Sequence, residues 1–183
     1  FIEYFSKGIK NLNQLKIGVE HERFLFEGEN KNRISYETLK KLFENLKVNG
    51  WEPLHEKGNI IGMQRNKQQI TTEPGLQCEL SGAPLENIHQ VCSESSKFLK
   101  EIEIASKGLD VNTVSIGFDP FNNLSDIPQS PKTRYKIMTK EMPKGGKQSL
   151  EMMYRTCGIQ INYDYTSEEN FEKIFRLGNY LTP

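Results

Sequence analysis

Apolar and polar residues alternate from Lys16 to Glu27, which predicts a β-strand. Ile17, Val19 and Leu25 fall on one side of it and Glu20 and Glu22 on the other. Phe24 and Phe26 share the glutamates' side, so that face is not wholly solvated. The period then changes. Tyr36, Leu39, Leu42, Phe43 and Leu46 recur at helical spacing, with Ser35 as N-cap and Gly50 as the stop. Between Trp51 and Thr72, Lys57-Gly58-Asn59 and Asn66-Lys67 read as turns joining short strands. Leu76 to Ser81 is the next predicted strand, and alternation sets Gln77 and Glu79 on one face of it. Pro84 should open a long helix, with Leu85, Ile88, Val91, Cys92, Phe98, Leu99, Ile102 and Ala105 as its apolar stripe and Gly108 closing it. Val114 to Phe118 reads as a strand, and Asp119 to Pro131 as a loop rich in Asn and Pro. Lys132 to Glu141 reads as a helix broken by Pro143 to Gly146, Cys157 to Tyr165 as an alternating strand, and Phe171 to Leu181 as a helix. Residues 1 to 12 read as the tail of an amphipathic helix. Strands and helices without a strict βαβ rhythm predict an α+β fold with a largely antiparallel sheet and flanking helices.

Composition narrows the picture. At 183 residues the chain is long enough for one domain with a real core. With 24 basic and 24 acidic residues its formal charge is zero, which gives no electrostatic case for nucleic acid or an anionic membrane as partner. No apolar run approaches the roughly 20 residues of a membrane span. Cys78, Cys92 and Cys157 have no metal-ligand spacing and suggest no disulfide framework, so a reducing cytoplasm is the expected location.

The candidate chemistry lies on the polar strand faces. Two strands offering carboxylate or amide oxygens to one surface suit a hard cation such as Mg²⁺, usually held together with substrate phosphates. An exposed strand also carries alternating charges, so Glu20 and Glu22 alone decide nothing. Lys132 and Arg134 can neutralise phosphate or carboxylate charge, or mark an exposed basic helix start. Gln160 and Asn162 share a strand face, from which both amides could reach a nucleotide, a metal-bound water or a substrate. The same alternation also fits a half-exposed strand. No phosphate-cradling Gly-x-x-x-x-Gly-Lys-Ser/Thr loop is present, and Lys144-Gly145-Gly146-Lys147 is too short to be one.

Four segments together resemble one family. Ile17-Gly18-Val19-Glu20-His21-Glu22-Arg23-Phe24 resembles Ile-Gly-x-Glu-His-Glu-x-Phe, and Glu73 to Pro84 resembles Glu-Pro-Gly-Gly-Gln-x-Glu-Leu-Ser-Gly-Ala-Pro. Asp126-Ile127-Pro128 followed by Pro131-Lys132-Thr133-Arg134-Tyr135 resembles Asp-Ile-Pro then Pro-Lys-Gly-Arg-Tyr. Met152 to Asn162 resembles Met-Met-x-Arg-Thr-Cys-Thr-Val-Gln-Val-Asn. These are segments of the glutamate–cysteine ligase family, in the branch typical of plants and many proteobacteria. The resemblance implies a glutamine synthetase-type catalytic fold, here partial. It also implies ATP-dependent ligation of L-glutamate to L-cysteine through γ-glutamyl phosphate, the first step of glutathione biosynthesis. Carried over by position, Glu20, Glu22 and Glu79 are implied ligands of Mg²⁺. Glu73 is implied at the substrate side or as a further metal contact, against the alternative of a plain turn residue before Pro74. Arg134 and Gln160 are implied as catalytic, and Lys132, Arg134, Tyr135, Gln160 and Asn162 as substrate or nucleotide contacts. Leu76 stands where the family has a second Gly, Thr133 and Gly158 also depart from the pattern, and Asp119 replaces a Gln. Because family members continue well beyond Pro183, residues 1–183 are expected to be the N-terminal part of one catalytic domain, inactive alone. The rival readings are a related carboxylate–amine ligase with another amine acceptor, and a non-catalytic fragment.

Overall fold

The computed structural model describes residues 1–182. In chain order its elements are α1 (Ile2–Lys7), β1 (Ile17–Glu27), β2 (Asn32–Arg33), α2 (Tyr36–Leu46), β3 (Glu52–Glu56), β4 (Asn59–Arg65), β5 (Gln68–Thr72), β6 (Cys78–Ser81), α3 (Ile88–Ala105), β7 (Val111–Val114), α4 (Thr133–Glu141), α5 (Ser149–Arg155), β8 (Ile159–Tyr163) and α6 (Glu168–Leu181). The strands form one sheet in the order β2-β1-β6-β5-β4-β3, with β7 and β8 also on β1. Every strand pairing is antiparallel. This is the expected α+β architecture, a largely antiparallel sheet with flanking helices.

The long strand β1 organises the sheet. Its first half lies between β6 and β8, and its second half between β2 and β7. One face of the sheet is apolar where Leu25, Met63, Ile70, Cys78 and Leu80 meet Leu39, Leu42, Phe43 and Leu46 of α2 and Phe98 and Ile102 of α3. Helix α2 starts where the sequence predicts, because the Ser35 hydroxyl accepts the Thr38 N–H at 3.2 Å. Gly50, at φ +81°, follows the short 3₁₀ turn that ends it. The hairpin β3–β4 is tied to α3 through Glu101, which accepts from Trp51 Nε1 and from Arg65 Nη1, both at 2.9 Å.

Several predicted boundaries shift for local reasons. Pro84 does not open α3. Leu85 is held in a bridge to β1, its N–H donating to the Ile17 carbonyl at 2.9 Å and its carbonyl accepting the Ile17 N–H at 2.7 Å. The cap is Asn87, whose side chain accepts the Gln90 N–H, and Ile88 and Cys92 are exposed rather than part of the buried stripe. Strand β6 begins at Cys78, because residues 73–77 form a turn with Leu76 at φ +60°. The strand predicted at Val114 to Phe118 lies earlier, where Val111 to Val114 pair with Glu27 to Phe24. Phe118 instead bridges Thr156. Helix α5 carries no clear periodic signal in the sequence. Residues Ile159, Ile161 and Tyr163 of β8 are mostly exposed, as are Phe175, Leu177 and Tyr180 of α6. Among the described residues no helix is long and apolar enough to cross a membrane.

Candidate active site

Cross-strand neighbours in an antiparallel ladder share a face, and the register of four strands builds one polar surface opposite the helices. Glu20 pairs with Ser81 on one side and Gln160 on the other, and Ser81 pairs in turn with Gln69. Two residues along, Glu22 pairs with Glu79 and Glu79 with Thr71. The surface forms the floor of a hollow of about 460 Å³ lined by Glu20, Glu22, Glu73, Glu79, Lys132, Arg134 and Gln160, among others. Tyr135 and Asn162, the remaining candidates, stand one contact back. The Tyr135 hydroxyl donates to Glu73 Oε2 at 3.0 Å, and Asn162 Nδ2 donates to Glu20 Oε1 at 2.9 Å.

The acids do not group as their spacing suggests. One carboxylate oxygen each from Glu22, Glu73 and Glu79 lie within 4.8 Å of one another. Glu20 lines the same hollow but is outside this trio, drawn toward Asn162. Glu73 joins because β5 delivers the chain to the 73–77 turn on the same face. The alternation Gln69-x-Thr71-x-Glu73 is the sequence signal for that placement, and it also explains Thr71 and Gln69 in the lining. Gln77 does not offer its amide to the surface shared with Glu79. It is buried within the turn, accepting from Gly75 N at 2.8 Å and donating to the carbonyls of Met153 and Thr156.

Each acid is held. Glu79 Oε1 accepts from Ser81 Oγ at 2.7 Å and Thr71 Oγ1 at 3.2 Å. Glu22 Oε2 accepts the Gly158 N–H at 2.6 Å. Burial, then the neighbouring Glu79 carboxylate, pushes the Glu73 pKa above its ordinary value. Glu22 is raised as well, first by burial, with the Gly158 N–H opposing and Glu79 and Glu20 adding to the rise. Lys132 is buried, its Nζ over the Tyr135 ring, and burial lowers its pKa against the pull of Glu73. Arg134 is largely exposed, with Nη2 3.7 Å from Glu73 Oε1.

The donor set suits a hard divalent cation. All three donors are carboxylate oxygens, and a spread within 4.8 Å is close to the roughly 4.2 Å that separates opposite oxygens around octahedral Mg²⁺ with 2.1 Å bonds. Beside the acids lies a second hollow of about 280 Å³ that shares Glu22, Glu73 and Arg134 and is walled by Met138, Met142, Met152 and Met153. Cys78 is buried behind the sheet with its thiol pKa pushed up to about 12 by burial, so it is a packing residue and not a nucleophile.

Comparison with known proteins identifies the lineage. The family profile of "Glutamate-cysteine ligase family 2" matches residues 16–183. The chain is 41% identical over its whole length to "Glutamate--cysteine ligase, chloroplastic" of Medicago truncatula, covering 36% of that protein. It is 40% identical to the rice enzyme A (Oryza sativa subsp. japonica), covering 37%, and 40% identical to the Arabidopsis thaliana enzyme, covering 35%. The chain thus spans little more than a third of the length of the curated relatives it matches. These relatives are named chloroplastic, which overturns the cytoplasmic location expected from the cysteines. Three unpaired thiols speak for a reducing compartment, and a reducing compartment need not be the cytoplasm.

Proposed function

The chain belongs to glutamate–cysteine ligase family 2, and from that membership we propose that the whole protein joins L-glutamate to L-cysteine at the expense of ATP, the first step of glutathione biosynthesis. Residues 1–183 are, on this reading, the N-terminal part of one catalytic domain. The observation that carries the site assignment is the meeting of Glu22, Glu73 and Glu79 within 4.8 Å, with Lys132 and Arg134 in the same hollow.

Ligation through an acyl phosphate needs the γ-carboxylate of glutamate to approach a phosphate although both are anionic. A bound Mg²⁺ would offset the negative charge of the phosphate oxygens, and Glu22, Glu73 and Glu79 would hold it, with Glu20 near enough to serve a second ion or a bound water. Lys132, held in a fixed and poorly hydrated position, supplies charge that needs no reorganisation as the phosphoryl group moves. Arg134, exposed at the rim, can turn from Glu73 to an incoming carboxylate or phosphate. Gln160 offers an amide to the hollow, and Tyr135 and Asn162 orient Glu73 and Glu20. The methionine-walled hollow meets this surface at Glu22, Glu73 and Arg134, and its polarizable thioethers suit the soft sulfur of the cysteine acceptor.

The test uses full-length protein. Phosphate release from ATP should require glutamate and cysteine together and should stop without a divalent cation. Turnover with another amine but none with cysteine would replace the acceptor assigned here. Glutamate-dependent turnover untouched by exhaustive metal chelation would remove the metal.

A further inference from the structure

Strand β2 is only two residues long, yet its Arg33 side chain has no solvent exposure. The guanidinium reaches three separate pieces of chain. Nη1 lies 3.3 Å from Asp119 Oδ2 and donates to the Tyr154 carbonyl at 3.1 Å. Nη2 donates to the Gly75 carbonyl at 2.5 Å. The group lies over the Phe24 ring, 4.5 Å from its centre, on the same side of β1 as Glu20 and Glu22.

Gly75 is the middle of the turn that aims Glu73. The turn is closed by Glu73 N–H to the Gln77 carbonyl and by Leu76 N–H to the Glu73 carbonyl, both at 2.9 Å. The peptide groups at Gly75 are gripped from two directions, the N–H by Gln77 Oε1 and the carbonyl by Arg33. A Cβ at Gly75 would stand 2.9 Å from both the Tyr154 carbonyl and Ile127 Cγ2, so the turn has no room to drift. The turn needs such a grip because it holds Leu76 at φ +60°, a conformation costing roughly 1–2 kcal/mol for a residue with a side chain.

We infer that Arg33 is a positioning residue for the acidic trio, fixing Glu73 through the Gly75 carbonyl. The inference rests on the metal-site reading above and deepens it. A buried planar fork is required because three acceptors lie in different directions. Lysine keeps the charge beside Asp119 but has one ammonium centre and cannot span all three. Arg33 touches none of the three trio carboxylates, and its shortest hydrogen bond, to the Gly75 carbonyl, links it to the turn that carries Glu73. Groups that orient metal ligands from behind typically change affinity 10–100-fold when lost.

The experiment is a Mn²⁺ titration of full-length protein, followed by the paramagnetic signal of the free ion, with thermal unfolding measured in parallel. Arg33→Lys should weaken Mn²⁺ binding about tenfold or more. Leu42→Ala, a core truncation on the opposite side of the sheet, should lower thermal stability without moving the titration. Placed on a Glu73→Gln background, Arg33→Lys should add almost nothing, because it acts through the residue already removed. Should Arg33→Lys not fold, the pair Arg33→Met with Asp119→Asn, which leaves no lone buried charge, is read against the same expectation. Unchanged Mn²⁺ affinity in Arg33→Lys, or an undiminished loss on the Glu73→Gln background, overturns the positioning role. Unchanged affinity in Glu79→Gln overturns the metal reading itself, and the proposal with it. That failure is recognisable because Glu79 makes no contact with Arg33.

Discussion

Glu79→Gln should make the metal-free protein more stable and the metal-replete protein less so. Three carboxylates within 4.8 Å repel one another. At that separation each pair costs about 0.9 kcal/mol in bulk water and about 3.5 kcal/mol at an effective dielectric near 20. Glu79 takes part in two of the three pairs, so neutralising it relieves roughly 2–7 kcal/mol of gross repulsion. Lys132 and Arg134 return most of that, since the same change removes their attraction to Glu79. A net gain of about 1–2 kcal/mol remains once those two cations and solvent screening are set against the repulsion. The amide oxygen of glutamine still accepts from Ser81 and Thr71, so little hydrogen bonding is lost. With Mg²⁺ at about a hundred times its dissociation constant the unmutated protein gains about 2.7 kcal/mol, and the variant, with a ligand missing, gains little of it. Denaturant unfolding in EDTA and then in Mg²⁺ should therefore rank the two proteins in opposite orders. A variant less stable than the parent in EDTA, or one that keeps the parent's full Mg²⁺ gain, would refute the reasoning.

Glu20→Gln should weaken Mn²⁺ binding less than Glu79→Gln does, because Glu20 is outside the trio; equal losses in parallel titrations would count against that grouping. In metal-free protein Glu73→Gln should gain stability over the parent as pH rises from about 4 to 7. The Glu73 pKa is raised in the folded state, so the parent binds its proton more tightly folded than unfolded and loses that contribution as pH climbs through the folded value, whereas glutamine does not titrate. Parallel stability curves for the two proteins would exclude this. Leu76→Gly should destabilise the protein by about 1–3 kcal/mol although glycine relaxes the positive φ, because losing a fully buried Leu costs about 2–5 kcal/mol against the roughly 1–2 kcal/mol recovered. Unfolding measurements showing a more stable variant would mean that strain outweighs burial here. Residues 1–183 expressed alone should show no glutamate-dependent phosphate release, since Gln160 and Asn162 stand on a strand whose sole partner among the described residues is β1; turnover at the rate of full-length protein would contradict it.

What could be read from the sequence, and what could not, follows from the range of each interaction. The period-two face of Glu20 and Glu22 and the capped helix at Ser35 depend on neighbours a few residues away, so they appear in the pattern and stand in the structure. Pro84 misleads because a local preference for helix starts loses to a long-range one, the bridge between Leu85 and Ile17. Gln77 misleads for a related reason. Alternation assumes an extended backbone, and the left-handed Leu76 immediately before it ends the extension and turns the amide inward. The membership of the trio was legible only in part. The alternation through Gln69 and Thr71 points Glu73 to the polar face, but Glu20 and Glu22 look equivalent along β1, and the long-range register that sets Glu79 opposite Glu22, with the path of the chain after β5, separates them. Arg33 gave no signal at all, since its partners Gly75, Asp119 and Tyr154 lie 42, 86 and 121 residues away in sequence. The proposed ligation requires several negative groups to be gathered at one place, and a sheet face with paired acids does so only if something fixes the one acid that does not belong to a ladder. In this fold the strands set Glu22 and Glu79 by register, whereas Glu73 depends on a strained turn and on the buried cation that holds it.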